Sequence, residues 1–324
     1  MNDQNKSGLS KQWMRFTQSS VFNIVLILLG MCLILTLTVQ TKFLSVTNLM
    51  SVFRQFSFYA IMAIGMLSVI VTGGIDLSVG SVFAFSSIIS VMAIRAGIPV
   101  SISVILGILS GALFGYINGL CITKLQLPPF IATLGTMSIA RGLSYGITGG
   151  YPIGSLPDNF KFIGLGTIAG VPTPILLMIV LAILFSVFLR KTIVGRWVYA
   201  IGGNEEAARI SGVKVDQTKQ LVYVLCGAMA AIAGIATAAR LGVGNSTAGL
   251  GYEMDAIAAV IIGGASVSGG VGTVIGPVLG AAIMGVLRNG LVLLSVSAYW
   301  QQAVLGLVIL IAVSFDKMRN DRKR

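Results

Sequence analysis

Residues 56–94 read FSFYAIMAIGMLSVIVT, then GGIDLSVG, then SVFAFSSIISVMAI. Two apolar runs flank a short motif that opens with Gly73-Gly74, ends at Gly80 and holds the stretch's only charge, Asp76. Crossing a hydrocarbon core of ~30 Å takes ~20 apolar residues in a helix. Glycine pairs beside such a run relax the helix and expose backbone dipoles. The stretch therefore predicts membrane helices interrupted by a polar break.

The motif has an echo. Residues 263–270 read GGASVSGG and match GGIDLSVG at four of eight positions, at a constant offset of 190. Each copy lies between apolar runs, as in transporters built from repeated halves with broken helices facing the pathway. On the span count below, both copies run in the same direction.

Composition extends this reading to the whole chain. Mean hydropathy is +0.94 over 324 residues, and 10% are Asp, Glu, Lys or Arg, against about 25% in soluble domains. Apolar runs suggest ten crossings, at 21–39, 56–72, 79–94, 99–122, 129–147, 174–189, 221–239, 255–267, 271–294 and 298–315. The expected fold is an all-α integral membrane bundle of about ten transmembrane helices with an internal repeat. It forms one domain, 21–315, between tails 1–20 and 316–324, with a polar loop at 190–220. The run 21–39 is too long for a signal peptide and is expected to be retained. The stretch 149–172 has room for a short surface helix only.

The net charge of +12 does not point to nucleic acid, because the basic residues flank apolar runs. Most of the 22 Lys and Arg fall in both tails, near Lys124 and in 190–219. The positive-inside rule then puts those segments and both termini in the cytoplasm. Cys32, Cys121 and Cys226 sit inside apolar runs without metal or disulfide spacing. The absence of histidine removes the commonest general base and metal ligand. No catalytic, cofactor or metal residue is assigned. No span carries an array of acids suited to proton relay, which disfavours proton coupling.

Ionisable groups in hydrocarbon face protein or water. The candidate pathway residues are Gly73, Gly74, Asp76, Ser78, Gly80, Asn118, Arg141, Gly263, Gly264, Ser268, Gly270, Arg288 and Asn289. Arg240 is expected to pair with Glu253 or Asp255. Glycines at 111, 115 and 119, at 142, 146 and 150, and at 276 and 280 recur at the four-residue spacing that brings helix backbones together.

The polar loop holds a short helix, Asn204, Glu205, Glu206, Ala207, Ala208, Arg209, Ile210, Ser211 and Gly212. Asn204 suits the N-cap, the glutamates the positive end of the dipole, and Gly212 the position past the end. So short a helix needs a surface to dock on. Ala207, Ala208 and Ile210 offer an apolar contact, either to a soluble partner or to lipid headgroups. Asp216 is expected to cap the next helix.

Four segments carry a family resemblance: YAIGGNEEAARISGV at 199–213, GIDLSVG at 74–80, TAGLGYEMDAIAAV at 247–260 and PPFIATLG at 128–135. Together they resemble the ribose-type carbohydrate permeases of bacterial ATP-binding-cassette importers. Gly269 and Val271 depart from that pattern. The resemblance implies a type II importer-like bundle in the cytoplasmic membrane and a coupling helix at 204–212. It implies as partners a second permease subunit, two ATP-binding subunits that carry ATP and Mg, and a periplasmic or lipid-anchored sugar-binding protein. The chain has no P-loop sequence, in keeping with a transport subunit that is not itself an ATPase. The competing expectations are a facilitator that works alone and an importer of a non-sugar such as a nucleoside.

Overall fold

The computed structural model describes residues 20–321. The tail expected at 1–20 lies outside them, apart from Ser20. Residues 316–321 of the other expected tail continue the last helix, and 322–324 lie outside.

The described residues form an all-α bundle. Its helices are α1 Ser20–Val39, α2 Thr41–Leu44, α3 Val46–Val71, α4 Val79–Arg95, α5 Val100–Thr123, α6 Pro129–Thr148 and α7 Asp158–Leu165, followed by α8 Thr173–Lys191, α9 Ile193–Gly203, α10 Glu205–Ile210, α11 Val215–Leu241, α12 Tyr252–Ile262, α13 Ile275–Leu293 and α14 Ala298–Asp321. Strands β1 Thr167–Ile168 and β2 Val171–Pro172 form a small hairpin between α7 and α8. Among the described residues, α1, α3, α5, α8, α11 and α13 are long and apolar enough to span a bilayer, and α4 is a shorter apolar helix. The chain is a polytopic membrane protein.

Local chemistry sets the boundaries. Pro129 opens α6, where its missing N–H costs nothing and its φ is already helical. Left-handed glycines end α6 at Gly149 and α11 at Gly242. At the centre stands α3, buried along most of its length. It packs on α8, α11, α12 and α13. The seam of α5 and α11 is made of glycine: Cβ atoms on Gly111 and Gly115 would strike the carbonyls of Gly227 and Tyr223. Gly276 and Gly280 likewise seat α13 on Gly263 and Ala259 of α12. The expected seam at 142, 146 and 150 is different, with no atom within 4 Å of a Cβ built on any of the three.

The segment expected to cross at 255–267 is helical over only part of that length. Its helix, α12, has 11 residues, or ~16 Å of rise, and the chain continues through irregular backbone to Ile275. The cause is Gly264, at φ 86°. Its N–H bonds Ile261 O at 2.8 Å and that of Ala265 bonds Val260 O at 3.2 Å, the Schellman pattern that closes a helix. Neighbouring helix starts shift too: α3 begins at Val46 rather than 56, α11 at Val215 rather than 221, and α13 at Ile275 rather than 271. Polar residues such as Asn48, Arg54 and Lys219 do not stop a helix that packing holds.

α3 and the second broken segment run side by side in the same direction. Tyr59 meets Tyr252 edge-on, with ring centroids 4.9 Å apart. Further along, Gly270 N donates to Val71 O at 2.9 Å. Since Tyr59 lies near the middle of α3, α12 starts half-way through the bundle. The first broken segment does the same from the other side. Gly80, in the first turn of α4, packs on Gly249 and Glu253 just ahead of and within α12.

Candidate functional site

The thirteen pathway candidates do not form one lining; eleven separate into four groups, and Gly263 and Gly264 lie apart from them. The first is a buried polar network at the foot of α4. Asp76 Oδ1 accepts from Ser78 N at 2.9 Å, Ser78 Oγ at 2.6 Å and Asn118 Nδ2 at 3.4 Å. Asn118 Nδ2 also donates to Ser78 Oγ at 2.9 Å, and its Oδ1 accepts from Thr136 at 2.5 Å. All four side chains are buried. The network ties the extended segment 74–78 to α5 and α6.

The second group lies where the two broken segments meet. Arg141 Nη1 donates to Ser246 O at 2.5 Å and Ala248 O at 2.8 Å, and Nη2 to Gly80 O at 3.2 Å. The guanidinium thus staples two carbonyls of the irregular chain ahead of α12 to one in the first turn of α4. It also borders an open cleft of about 380 Å³, lined by Ser81, Ser138, Gly142, Tyr145, Leu250 and Glu253 among others. Glu253, Ser81 and Ser138 were not among the sequence candidates. Their signal was weak, because serine is common in membrane helices and Glu253 was one of two acids, with Asp255, expected to pair with Arg240.

That pairing does not occur. Arg240 lies over the Phe58 ring at 6.0 Å. Asp255 pairs instead with Arg288 at 2.6 Å, and Arg288 stacks over Tyr59 at 5.6 Å. Asn289 exchanges amide bonds with Asn48 at 2.7 and 3.1 Å. Arg288 and Asn289, the third group, therefore bind α13 to α12 and α3.

The fourth group gathers at the end of the bundle that carries α10. Gly73, Gly74 and Ser268 line a cavity of about 410 Å³ together with Gly202, Gly203, Asn204 and Glu205. Gly270 closes on Val71 beside it. Gly263 and Gly264 lie elsewhere, at the end of α12, with Gly263 against Gly276 and Pro277 of α13.

The short helix is narrower than the 204–212 expected. α9 ends at Gly203, Asn204 is the cap, and α10 covers Glu205–Ile210. Asn204 Oδ1 accepts from Ala207 N at 2.9 Å. Gly212 at φ 84° closes the far end, with Val213 N on Ala208 O at 3.0 Å. Ala208 faces inward onto Ile201 and Val215, so the expected apolar contact loses that member. Ile210 is 79% exposed, and Glu206 and Ala207 are exposed beside it.

Ion pairs clamp α10 to the next helix: Lys219 to Glu205 at 2.6 Å and Arg209 to Asp216 at 3.4 Å. Asp216 is committed there and makes no cap; Lys214 is the cap residue of α11, without a side-chain bond.

The chain matches the family described as branched-chain amino acid transport system / permease component over residues 48–313. It is 45% identical to the ribose import permease protein RbsC of Bacillus subtilis, covering 86% of this chain and 87% of that protein. The Escherichia coli protein of the same name is 40% identical, over 98% of this chain and 100% of its own length. The L-arabinose transport system permease protein AraH of Escherichia coli is 38% identical over 87% and 86%. No solved structure matches.

Proposed function

The chain belongs to this permease family, and on that premise we propose that it is the membrane subunit of an ATP-driven importer for ribose or a related monosaccharide. It is a transport component and not an enzyme. The sugar reading rests on the relatives matched along most of both chains, which are ribose and arabinose permeases. In this reading the protein sits in the bacterial inner membrane, with α10 and both termini on the cytoplasmic side. Its architecture is then a type II importer-like bundle of ten crossings, in which α12 and the irregular segment after it make the eighth. A second permease subunit completes the pathway, two ATP-binding subunits dock below, and an exported binding protein delivers the sugar. The open glycine stripe on α6 suits a close approach by another helix.

Sugar passes along the cleft bordered by Arg141. Ser81, Ser138, Tyr145 and Glu253 there offer donors and acceptors to hydroxyl groups, and the cleft is open rather than enclosed. Weak, shallow contacts suit a path that must release what it receives, and discrimination then belongs to the binding protein.

One observation carries the assignment of an external engine. α10 is anchored on one face by Ala208 and two ion pairs, and presents Ile210 almost bare on the other. An isoleucine held out on a capped, fixed helix is a contact awaiting a groove. Ile210→Arg tests this, because the change leaves the inward face intact. The expected result is loss of co-purification with the ATP-binding subunits and of ATP-dependent uptake. Normal assembly and uptake would refute the docking role, and sugar flux through the purified chain alone in liposomes would establish a facilitator instead. Substitution of Ala208 is a poorer test, since it would unseat the helix from its own protein.

A further inference from the structure

Two glycine pairs from distant parts of the chain meet beneath α10, and a third lies close by. Gly202-Gly203 ends α9 and packs on Gly269-Gly270, in the middle of the irregular segment after α12, while Gly73-Gly74, just after α3, lines the adjoining cavity. A Cβ on Gly202 would collide with both Val71 O and Gly270 N. A Cβ on Gly269 would lie 2.9 Å from Gly202 O and 3.1 Å from Val71 O. Two directional bonds cross the junction, Gly270 N to Val71 O at 2.9 Å and Tyr199 Oη to Gly272 O at 2.9 Å.

We propose that Gly202 is the point at which movement of the docked helix enters the membrane bundle, and that it acts on both broken segments at once. This rests on reading α10 as the docking helix. The geometry has three parts. α10 is tied to α11 by two ion pairs and by Ala208 against Val215, so displacement of one is passed to the other. Gly202, two residues ahead of Glu205's cap, touches the last carbonyl of α3 and the turn that closes the second break. The contact at Gly202 itself is backbone on backbone, while Val198 and Tyr199 one turn earlier hold α9 in the core. Such a seam can shift as a unit while Tyr199 keeps α9 in register with Gly272. Tyr199 is the positioning residue and Gly202 the contact itself. Substitutions along a coupling route leave assembly intact and change how strongly two sites sense each other.

The complete complex, with ATP-binding subunits and binding protein in proteoliposomes, gives the decisive ratio: sugar moved per ATP hydrolysed. Gly202→Ala is expected to lower this ratio roughly tenfold and Tyr199→Phe about threefold, the range that mutations on a coupling route produce. A purely structural role would reduce flux and hydrolysis together and leave the ratio unchanged, which overturns the proposal. If Gly202→Ala does not assemble, Tyr199→Phe decides, since its loss is one hydroxyl and a parental ratio from it is refutation. Ile210→Arg separates the two levels: normal assembly in that variant removes the docking reading, whereas a parental ratio in Tyr199→Phe with docking intact removes only the junction.

Discussion

At the first break, Gly73 takes φ 79° and closes α3 with Gly73 N on Ile70 O at 2.9 Å and Gly74 N on Val69 O at 3.0 Å. At the second, Gly264 at φ 86° closes α12 with the same pair of bonds. Each is followed by a side-chain turn, Ser78 N on Asp76 Oδ1 at 2.9 Å and Ser268 N on Ser266 Oγ at 3.3 Å. The turns keep the sequence offset of 190, but the caps are 191 apart, so the second copy has one residue fewer between cap and turn. Beyond that the copies part. The first is held by a buried carboxylate and its side-chain partners, and the second by backbone against backbone at Gly269 and Gly270. One break is sensitive to what its side chains do, and the other to having almost none. That division suits a segment that must hold polar groups in the bundle interior and another that must meet a moving loop.

The strongest way to break this comparison is Asp76→Ala. Three donors converge on Asp76 Oδ1, from Ser78 N, Ser78 Oγ and Asn118 Nδ2. Leaving them unmet in a buried site costs about 3 kcal/mol of folding free energy. Asp76→Asn retains an acceptor and is expected to lose about 1 kcal/mol. Unfolding in mixed micelles measures both; an Asp76→Ala protein as stable as the parent would show that the first break does not depend on its carboxylate.

The next effect belongs to the second break. A Cβ on Gly263 would enter the Gly276 carbonyl carbon and lie 2.6 Å from Pro277 N, both backbone atoms that cannot rotate away. Gly263→Ala is therefore expected to lose about 2 kcal/mol through overpacking, with α13 displaced. The residue that aligns with it, Gly73, has open space around a Cβ and only the left-handed φ to oppose it. Gly73→Ala should lose about 1 kcal/mol, the strain of a non-glycine residue in that conformation. Equal losses would mean that the aligned glycines do the same work, contrary to the geometry.

Much of this was legible in the residues and some was not, for reasons that differ by residue. Apolar runs and their polar ends gave the spans, because hydrophobic length is a local property. Asn204 and Gly212 announced α10 because caps are local hydrogen-bond chemistry. The inward face of Ala208 was not legible, since a six-residue helix has too few apolar positions to define a side. Arg141 reads as a free charge in a span, yet its three acceptors lie at 80, 246 and 248, far away in sequence. The end of α12 was visible in Gly263-Gly264, where the apolar stretch stops early; what the residues did not show is how the irregular chain beyond it packs against Val71. The meeting of Gly202 with Val71 and Gly270 needed the fold, although a glycine pair directly ahead of a helix cap was a visible hint.

The last contrast includes the smallest effect, at Ser268. Ser78 and Ser268 occupy the same place in the echo and are the same residue. Ser78 is 1% exposed, and its hydroxyl donates to Asp76 at 2.6 Å and accepts from Asn118 at 2.9 Å. Ser268 is exposed, and its backbone N–H, not its hydroxyl, makes the turn bond. Ser78→Ala removes two buried hydrogen bonds and should lose about 2 kcal/mol. Ser268→Ala keeps the bond to Ser266 and should stay within about 0.5 kcal/mol of the parent. The two proteins, unfolded side by side, test whether likeness in sequence or in surroundings governs the repeat: a Ser268→Ala loss matching that of Ser78→Ala would mean the second turn is held by side chains after all, and the asymmetry between the breaks would go with it.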